Sequence, residues 1–290
     1  MTEPIFRGVC TALATPFSGG KVDYKAFQAL IERQLSAGID ALCVAGTTGE
    51  AATLTDGEWE GLLAVAVEGV GGKIPVIVGV GSNSTVRALH LCRRAKAGGA
   101  DAVLAVTPYY NRGTNDGIVA HYHAIAEVGL PVIVYNVPGR TGVDLSVGLY
   151  RRIAEHPGIA GVKEAGDGYD RLLDFVSAFG DRLPLYTGCD AAILPAFAVG
   201  AVGVISVVSN LFPQKTKELY LAASRGDFSE ARGLNARLLP LIRALFAETN
   251  PAPLKRAMEI MGLCRGELRL PLSPVGRDLS ERLERLLGQI

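Results

Sequence analysis

Eight short runs of apolar, mostly β-branched residues recur along this chain, and each is followed by an amphipathic helical pattern before the next run begins. The runs fall at residues 8–17, 41–46, 76–81, 102–107, 132–136, 161–164, 183–187 and 203–207 and carry little charge. Strands buried on both faces read this way, because neither side can tolerate an unpaired charge. Strand and helix alternating at this rhythm make βα units around a parallel sheet. The helical patterns include 24–37, 56–67, 85–97, 116–127, 145–155 and 213–224, and glycines repeatedly close them. An open, doubly wound sheet is the alternative α/β architecture. Eight units favour closure, so the expected fold is a (β/α)8 TIM barrel. Beyond residue 224 the rhythm changes to helices alone, at 228–247, 253–261 and 279–288. The expected division is a barrel over 1–224 that carries the active site and a C-terminal helical extension over 225–290.

With 29 basic and 29 acidic residues among 290 and no block of one sign, the chain lacks the field that attracts nucleic acid or a membrane surface. Small molecules are the expected ligands. Five cysteines (Cys10, Cys43, Cys92, Cys189 and Cys264) are odd in number, scattered and free of CxxC spacing. That pattern argues against a disulfide framework or a structural zinc site and fits a reducing cytoplasm. Residues 1–8 have no apolar core behind a basic start, so no secretory signal is expected. Residues 191–208 are uncharged over a length that nearly crosses a bilayer, yet Pro195, Gly200 and Gly203 divide them into a short helix and a strand. The glycines of Gly69-Val-Gly-Gly-Lys73 follow a helix and precede a strand, the reverse of a phosphate-binding loop, and read as a helix-closing turn.

In barrels of this kind the reacting groups stand where strands end. Lys163 lies inside the apolar run Ile159-Ala-Gly-Val-Lys-Glu-Ala-Gly166. Neighbouring Glu164 points to the opposite face and does not naturally meet it. An ion-paired or snorkelling lysine is one reading. The other is a desolvated amine at the barrel mouth, which spends more of its time neutral and can attack a ketone as a Schiff-base nucleophile. Tyr135, closing the adjacent strand beside Asn136, is the candidate acid/base for the proton transfers that imine formation requires, with aromatic packing as its alternative. Thr47 and Thr48, flanked by Gly46 and Gly49, offer hydroxyls and backbone amides to a carboxylate, although helix capping would also account for them. Arg140, in the turn after Pro138-Gly139, can hold a second carboxylate in a bidentate pair, although a merely solvated loop arginine is the alternative. The four histidines show no metal-ligand spacing, so a metal is not expected, and since an imine on lysine itself supplies the electron sink, no organic cofactor is expected either. Cys189 has no histidine partner in its own motif and reads as a buried structural thiol.

Gly46-Thr-Thr-Gly-Glu50, Val106-Thr-Pro-Tyr-Tyr-Asn111, Tyr135-Asn-Val-Pro-Gly-Arg-Thr-Gly142, Gly161-Val-Lys-Glu164, Gly200-Ala-Val-Gly-Val-Ile-Ser206 and Leu268-Arg-Leu-Pro-Leu-Ser-Pro274 occur in this order over nearly the whole chain. Together they resemble the dihydrodipicolinate synthase / N-acetylneuraminate lyase family of pyruvate-dependent class I aldolases. The resemblance implies a Schiff base between Lys163 and pyruvate, Tyr135 as acid/base, and a relay from Tyr135 through Thr47 to Tyr110 of a neighbouring subunit. It further implies that Thr48 and the backbone at Ile205 hold pyruvate, that Arg140 holds the carboxylate of aspartate 4-semialdehyde, and that the assembly is a homotetramer built as a pair of tight dimers. A sister aldolase acting on a sugar acid such as 2-keto-3-deoxygluconate or N-acetylneuraminate, and more remotely a non-catalytic barrel, are the alternatives. This chain departs from the usual synthase pattern at Ala165-Gly-Asp-Gly-Tyr169 and at Cys189. A lysine feedback site of regulated relatives would fall near Ala51, Ala52, Asp56, Trp59, Asn83, Arg87 and Tyr109. Arg87 stands there in place of a carboxylate, so weak or absent inhibition by lysine is expected.

Overall fold

The computed structural model describes residues 3–290; Met1 and Thr2, the start of the segment read for a secretory signal, lie outside the described residues. Eight parallel strands close on one another: β1 Gly8–Ala12, β2 Ala41–Val44, β3 Val76–Gly79, β4 Ala102–Val106, β5 Val132–Asn136, β6 Ile159–Glu164, β7 Leu185–Thr187 and β8 Gly203–Ser206. The first strand pairs with both the second and the last, which completes the barrel. Open-sheet topology is thereby ruled out.

Each strand is buried on both sides, as its lack of charge predicts. Val9, Leu42, Val44, Val76, Val78, Val103, Val132, Val134, Val162 and Val204 face outward into the layer between strands and helices. Cys10, Ala12, Ala41, Cys43, Ile77, Leu104, Ile133, Tyr135 and Ile205 alternate with them and fill the interior. Phe6 and Tyr186 stack with ring centroids 4.5 Å apart inside the barrel, plugging the end from which the strands start.

The helices are α1 Tyr24–Ser36, α2 Asp56–Val70, α3 Thr85–Ala97, α4 Asn115–Ala126, α5 Val147–Ile153, α6 Asp170–Phe179, α7 Ile193–Ala198 and α8 Pro213–Ser224, followed by α9 Phe228–Leu245, α10 Ala252–Ile260 and α11 Arg277–Leu287. Two boundaries depart most from the sequence reading. The first strand stops at Ala12, because Phe17–Ser18 turns back and pairs antiparallel with Lys21–Val22. The pattern at 145–155 becomes helical only at Val147, where Ser146 caps by accepting a hydrogen bond from the Leu149 amide, and a separate short helix, Pro138–Thr141, precedes it. The segment 191–208 divides into α7 and β8, and among the described residues no helix is long and apolar enough to cross a membrane.

Candidate active site

A cavity of about 400 Å³ opens at the mouth of the barrel, lined by Thr47, Thr48, Tyr135, Arg140 and Lys163 from the strand ends and by Ile242, Arg243, Phe246 and Asn250 from α9 and the loop after it. Alternation along β6 aims Lys163 into this cavity and Glu164 away from it. Glu164 is buried outside the barrel, where it accepts hydrogen bonds from the Tyr150 hydroxyl at 2.7 Å, the Gly166 amide at 2.7 Å and the Asn136 side chain at 3.1 Å. Those bonds satisfy it locally, and beside its charge burial pushes the Tyr150 phenol up. Lys163 is also buried but joins no ion pair among the described residues.

Parallel register places Tyr135 directly opposite Lys163 on the next strand. The lysine Nζ lies 4.2 Å from the centre of the tyrosine ring. The space for that amine depends on a glycine, since a Cβ on Gly188 would sit 2.6 Å from Lys163 Cε. Beyond Gly188, Asp190 is buried and accepts from the amides of Val207 and Val208 at 2.9 and 2.8 Å, tying the end of β7 to the end of β8. Burial pushes its carboxyl up, with Lys163 opposing.

The loop after β2 begins with a strained residue, Ala45, whose φ of 48° costs a side-chain-bearing residue about 1–3 kcal/mol. Close approach of Gly79 accommodates this bend, because a Cβ there would meet the Ala45 carbonyl oxygen at 2.1 Å. Thr47 and Thr48 follow and are not helix caps. The cap of α2 is Thr55, which forms a capping box with Glu58. Thr48 Oγ1 accepts from Asn250 Nδ2 at 3.0 Å, so its own hydrogen is free for another acceptor. Arg140 donates to the Asn250 carbonyl at 2.9 Å and reaches the same cavity.

Not every expected group converges here. Ile205 belongs to the interior cluster beneath the cavity, and Val207 lines the cavity instead. Tyr110 is 90% exposed at a φ of 68°, standing in solvent at the rim. Cys189 is not the buried structural thiol expected: it is half-buried and lines the cavity, because β7 ends at Thr187 and Gly188 carries the chain over the mouth. Burial still pushes its thiol up. Asn250, Arg243 and Gly188 are contributors that the sequence reading missed. Asn250 meets Thr48 across 202 positions, a pairing that no local pattern announces.

A second cavity of about 440 Å³ adjoins the first and shares Thr47, Tyr135, Arg140 and Asn250 with it. Ala51, Ala52, Trp59, Arg87 and Tyr109 line it, and Arg87 pairs with Asp56, whose carboxyl that guanidinium holds well below the usual range. Among the described residues no group of three or more His, Cys, Asp or Glu side chains could hold a metal ion.

The model of the dihydrodipicolinate synthetase family matches residues 5–290. The chain is 43% identical over 286 residues to the 4-hydroxy-tetrahydrodipicolinate synthase of Geobacter metallireducens, covering 98% of this chain and 99% of that one. Its structure resembles that of dihydrodipicolinate synthase from Aquifex aeolicus, with a TM-score of 0.95, 42% identity and 98% of each chain covered. It likewise resembles the chloride-inhibited dihydrodipicolinate synthase of Acinetobacter baumannii complexed with pyruvate, with a TM-score of 0.95, 40% identity and 98% of each chain covered.

Proposed function

The chain belongs to the dihydrodipicolinate synthetase family, and on that footing we propose that it is a lyase condensing pyruvate with L-aspartate 4-semialdehyde to 4-hydroxy-tetrahydrodipicolinate, on the route to diaminopimelate and lysine. The observation that carries this reading is Lys163, a buried amine facing a cavity opposite Tyr135 with no carboxylate in ion-pair contact among the described residues. Its neutral form attacks the keto carbon of pyruvate, forming a C–N bond while the carbonyl oxygen takes up a proton. Loss of that oxygen as water leaves an iminium. The iminium nitrogen then accepts the electron pair released when C3 gives up a proton, and the resulting enamine forms the new C–C bond to the aldehyde carbon. The aldehyde oxygen takes up a proton to become the 4-hydroxyl, and the α-amino group of the aldehyde substrate then attacks the imine carbon, closing the six-membered ring as the C–N bond to lysine breaks and the free amine is released.

Tyr135 moves the protons, and Thr47 links it to Tyr110 of a neighbouring copy. The exposed ring and left-handed backbone of Tyr110 support an assembly in which a second chain covers it, of the dimer-of-dimers type. Thr48, whose hydrogen is uncommitted, holds the carboxylate of pyruvate, with the backbone at Ile205 supporting the molecule from the floor beneath the cavity; Arg140 holds the carboxylate of the aldehyde. Residues 1–224 bring the reacting groups, while 225–290 supply Ile242, Arg243, Phe246 and Asn250 as the outer wall. Five free thiols support a reducing cytoplasm as its place of work. A sugar-acid substrate is disfavoured by the synthase names of relatives matched over nearly their whole length.

Borohydride reduction in the presence of pyruvate tests the chemistry. The peptide containing Lys163 gains the mass of the reduced adduct, and purified aspartate semialdehyde is turned over in an assay coupled to a reductase. An active enzyme whose Lys163 peptide stays unmodified would refute the mechanism.

A further inference from the structure

Lys255 and Glu50 form an ion pair whose two side chains are both fully buried, although the residues are 205 positions apart. Lys255 Nζ donates to Glu50 Oε1 at 2.7 Å and to the Thr15 carbonyl at 2.9 Å, and lies 4.2 Å from the centre of the Phe17 ring. Glu50 Oε2 accepts from the Arg269 amide at 3.1 Å. Removing two charges from water is costly, and apolar side chains of similar volume often stabilise such a seam as well or better. The distinctive contribution of the ionic pair is directional.

Glu50 ends the loop that carries Thr47 and Thr48, and it is itself held in a left-handed conformation with φ of 54°. The loop is gripped at three successive residues. Asn250 donates to Thr48, the Thr15 hydroxyl donates to the Gly49 carbonyl at 2.7 Å, and Lys255 holds Glu50. Asn250 and Lys255 flank the start of α10, so one helix docks on the barrel at both Thr48 and Glu50. A shift at Glu50 is transmitted within two residues to the hydroxyl that faces the cavity.

We infer that Lys255 is a positioning residue for the keto-acid subsite: through Glu50 it fixes the Thr48–Glu50 segment so that the Thr48 hydroxyl stays aimed at the substrate carboxylate. This rests on the pyruvate reading given above. The group acts on binding more than on chemistry, because the bond to the carboxylate is present in ground state and transition state alike.

The test is the double variant Glu50→Gln with Lys255→Met, which removes both charges and leaves no orphan ion. Half-saturating pyruvate is measured twice, by steady-state kinetics and by borohydride trapping followed by intact mass, with thermal unfolding recorded beside them. The expected result is a rise of about tenfold in half-saturating pyruvate in both assays, with kcat and the KM for the aldehyde within about threefold of the unaltered chain. Unchanged half-saturation, whatever happens to the melting temperature or to kcat, overturns the inference. Should the double variant fail to fold, Glu50→Asp keeps both charges and shortens the reach by one methylene. It is expected to raise half-saturating pyruvate about threefold, and no rise overturns the inference. No adduct in the unaltered chain sinks the functional reading and this inference together, whereas an adduct there with unshifted variants removes the inference alone.

Discussion

Two lysines are buried near the top of this barrel, and their surroundings differ in one respect. Lys163 is 6% exposed and Lys255 is wholly enclosed. Each holds its Nζ 4.2 Å from the centre of an aromatic ring, Tyr135 in one case and Phe17 in the other. Lys255 also has a carboxylate and a carbonyl within hydrogen-bond distance, and although burial lowers its hold on a proton, Glu50 opposes that loss. Lys163 has neither partner and faces a cavity. Burial alone therefore does not mark a reactive amine. What marks it is burial without a partner, beside empty space and a proton donor.

The widest separation of the two regions comes from removing each amine. Lys163→Met is expected to cut turnover by at least about a thousandfold and abolish pyruvate trapping while the melting curve hardly moves. Wild-type rates in that variant would erase the distinction. Tyr135→Phe, read by kcat on a folded protein, is expected to lose about 10²–10⁴-fold, the usual worth of a positioned acid/base. Lys255→Met has the opposite signature: Glu50 is left as an unpaired buried charge, costing about 3–5 kcal/mol of stability by denaturant unfolding, while borohydride still modifies the Lys163 peptide.

A third buried base sharpens the contrast. His121 lies on α4 with Nδ1 2.9 Å from the Thr85 hydroxyl, and burial holds its imidazole down at about 4. The ordinary value in an unfolded chain is about 6.5, so as pH falls the unfolded chain takes the proton first. The stability tied to this group is complete above about pH 6.5 and is lost as pH falls toward about 4, by up to about 3 kcal/mol. His121→Asn is expected to flatten that part of the pH–stability curve. The smallest effect concerns the second cavity: with Arg87 lining it, free lysine at millimolar concentration is expected to leave the initial rate unchanged. Strong inhibition would break the expectation.

The barrel and the Lys163–Tyr135 pair were legible because both rest on local rules. A doubly buried strand must be apolar, and alternation decides which way its one lysine points. Residues 132–136 and 85–97 matched their sequence-read limits for this reason. Strand one was read five residues too long because Thr15, Pro16 and Phe17 continue its apolar composition while leaving the sheet. Composition cannot register that departure. Lys255 was invisible for a different reason. Within Ala252–Ile260 it resembles any solvent-facing helical lysine, and only the tertiary arrangement brings Glu50 and Thr15 to it. Gly188 looked like one turn glycine among many until the position of Lys163 Cε gave it a purpose.

The stacked rings of Phe6 and Tyr186 fill the interior at the end from which the strands start, so the buried amine is reached from the opposite end, where the cavity opens. Whatever enters first occupies the floor, and a second reactant can arrive only above it. On the chemistry proposed above, that geometry has the keto acid committing to the lysine before the aldehyde descends.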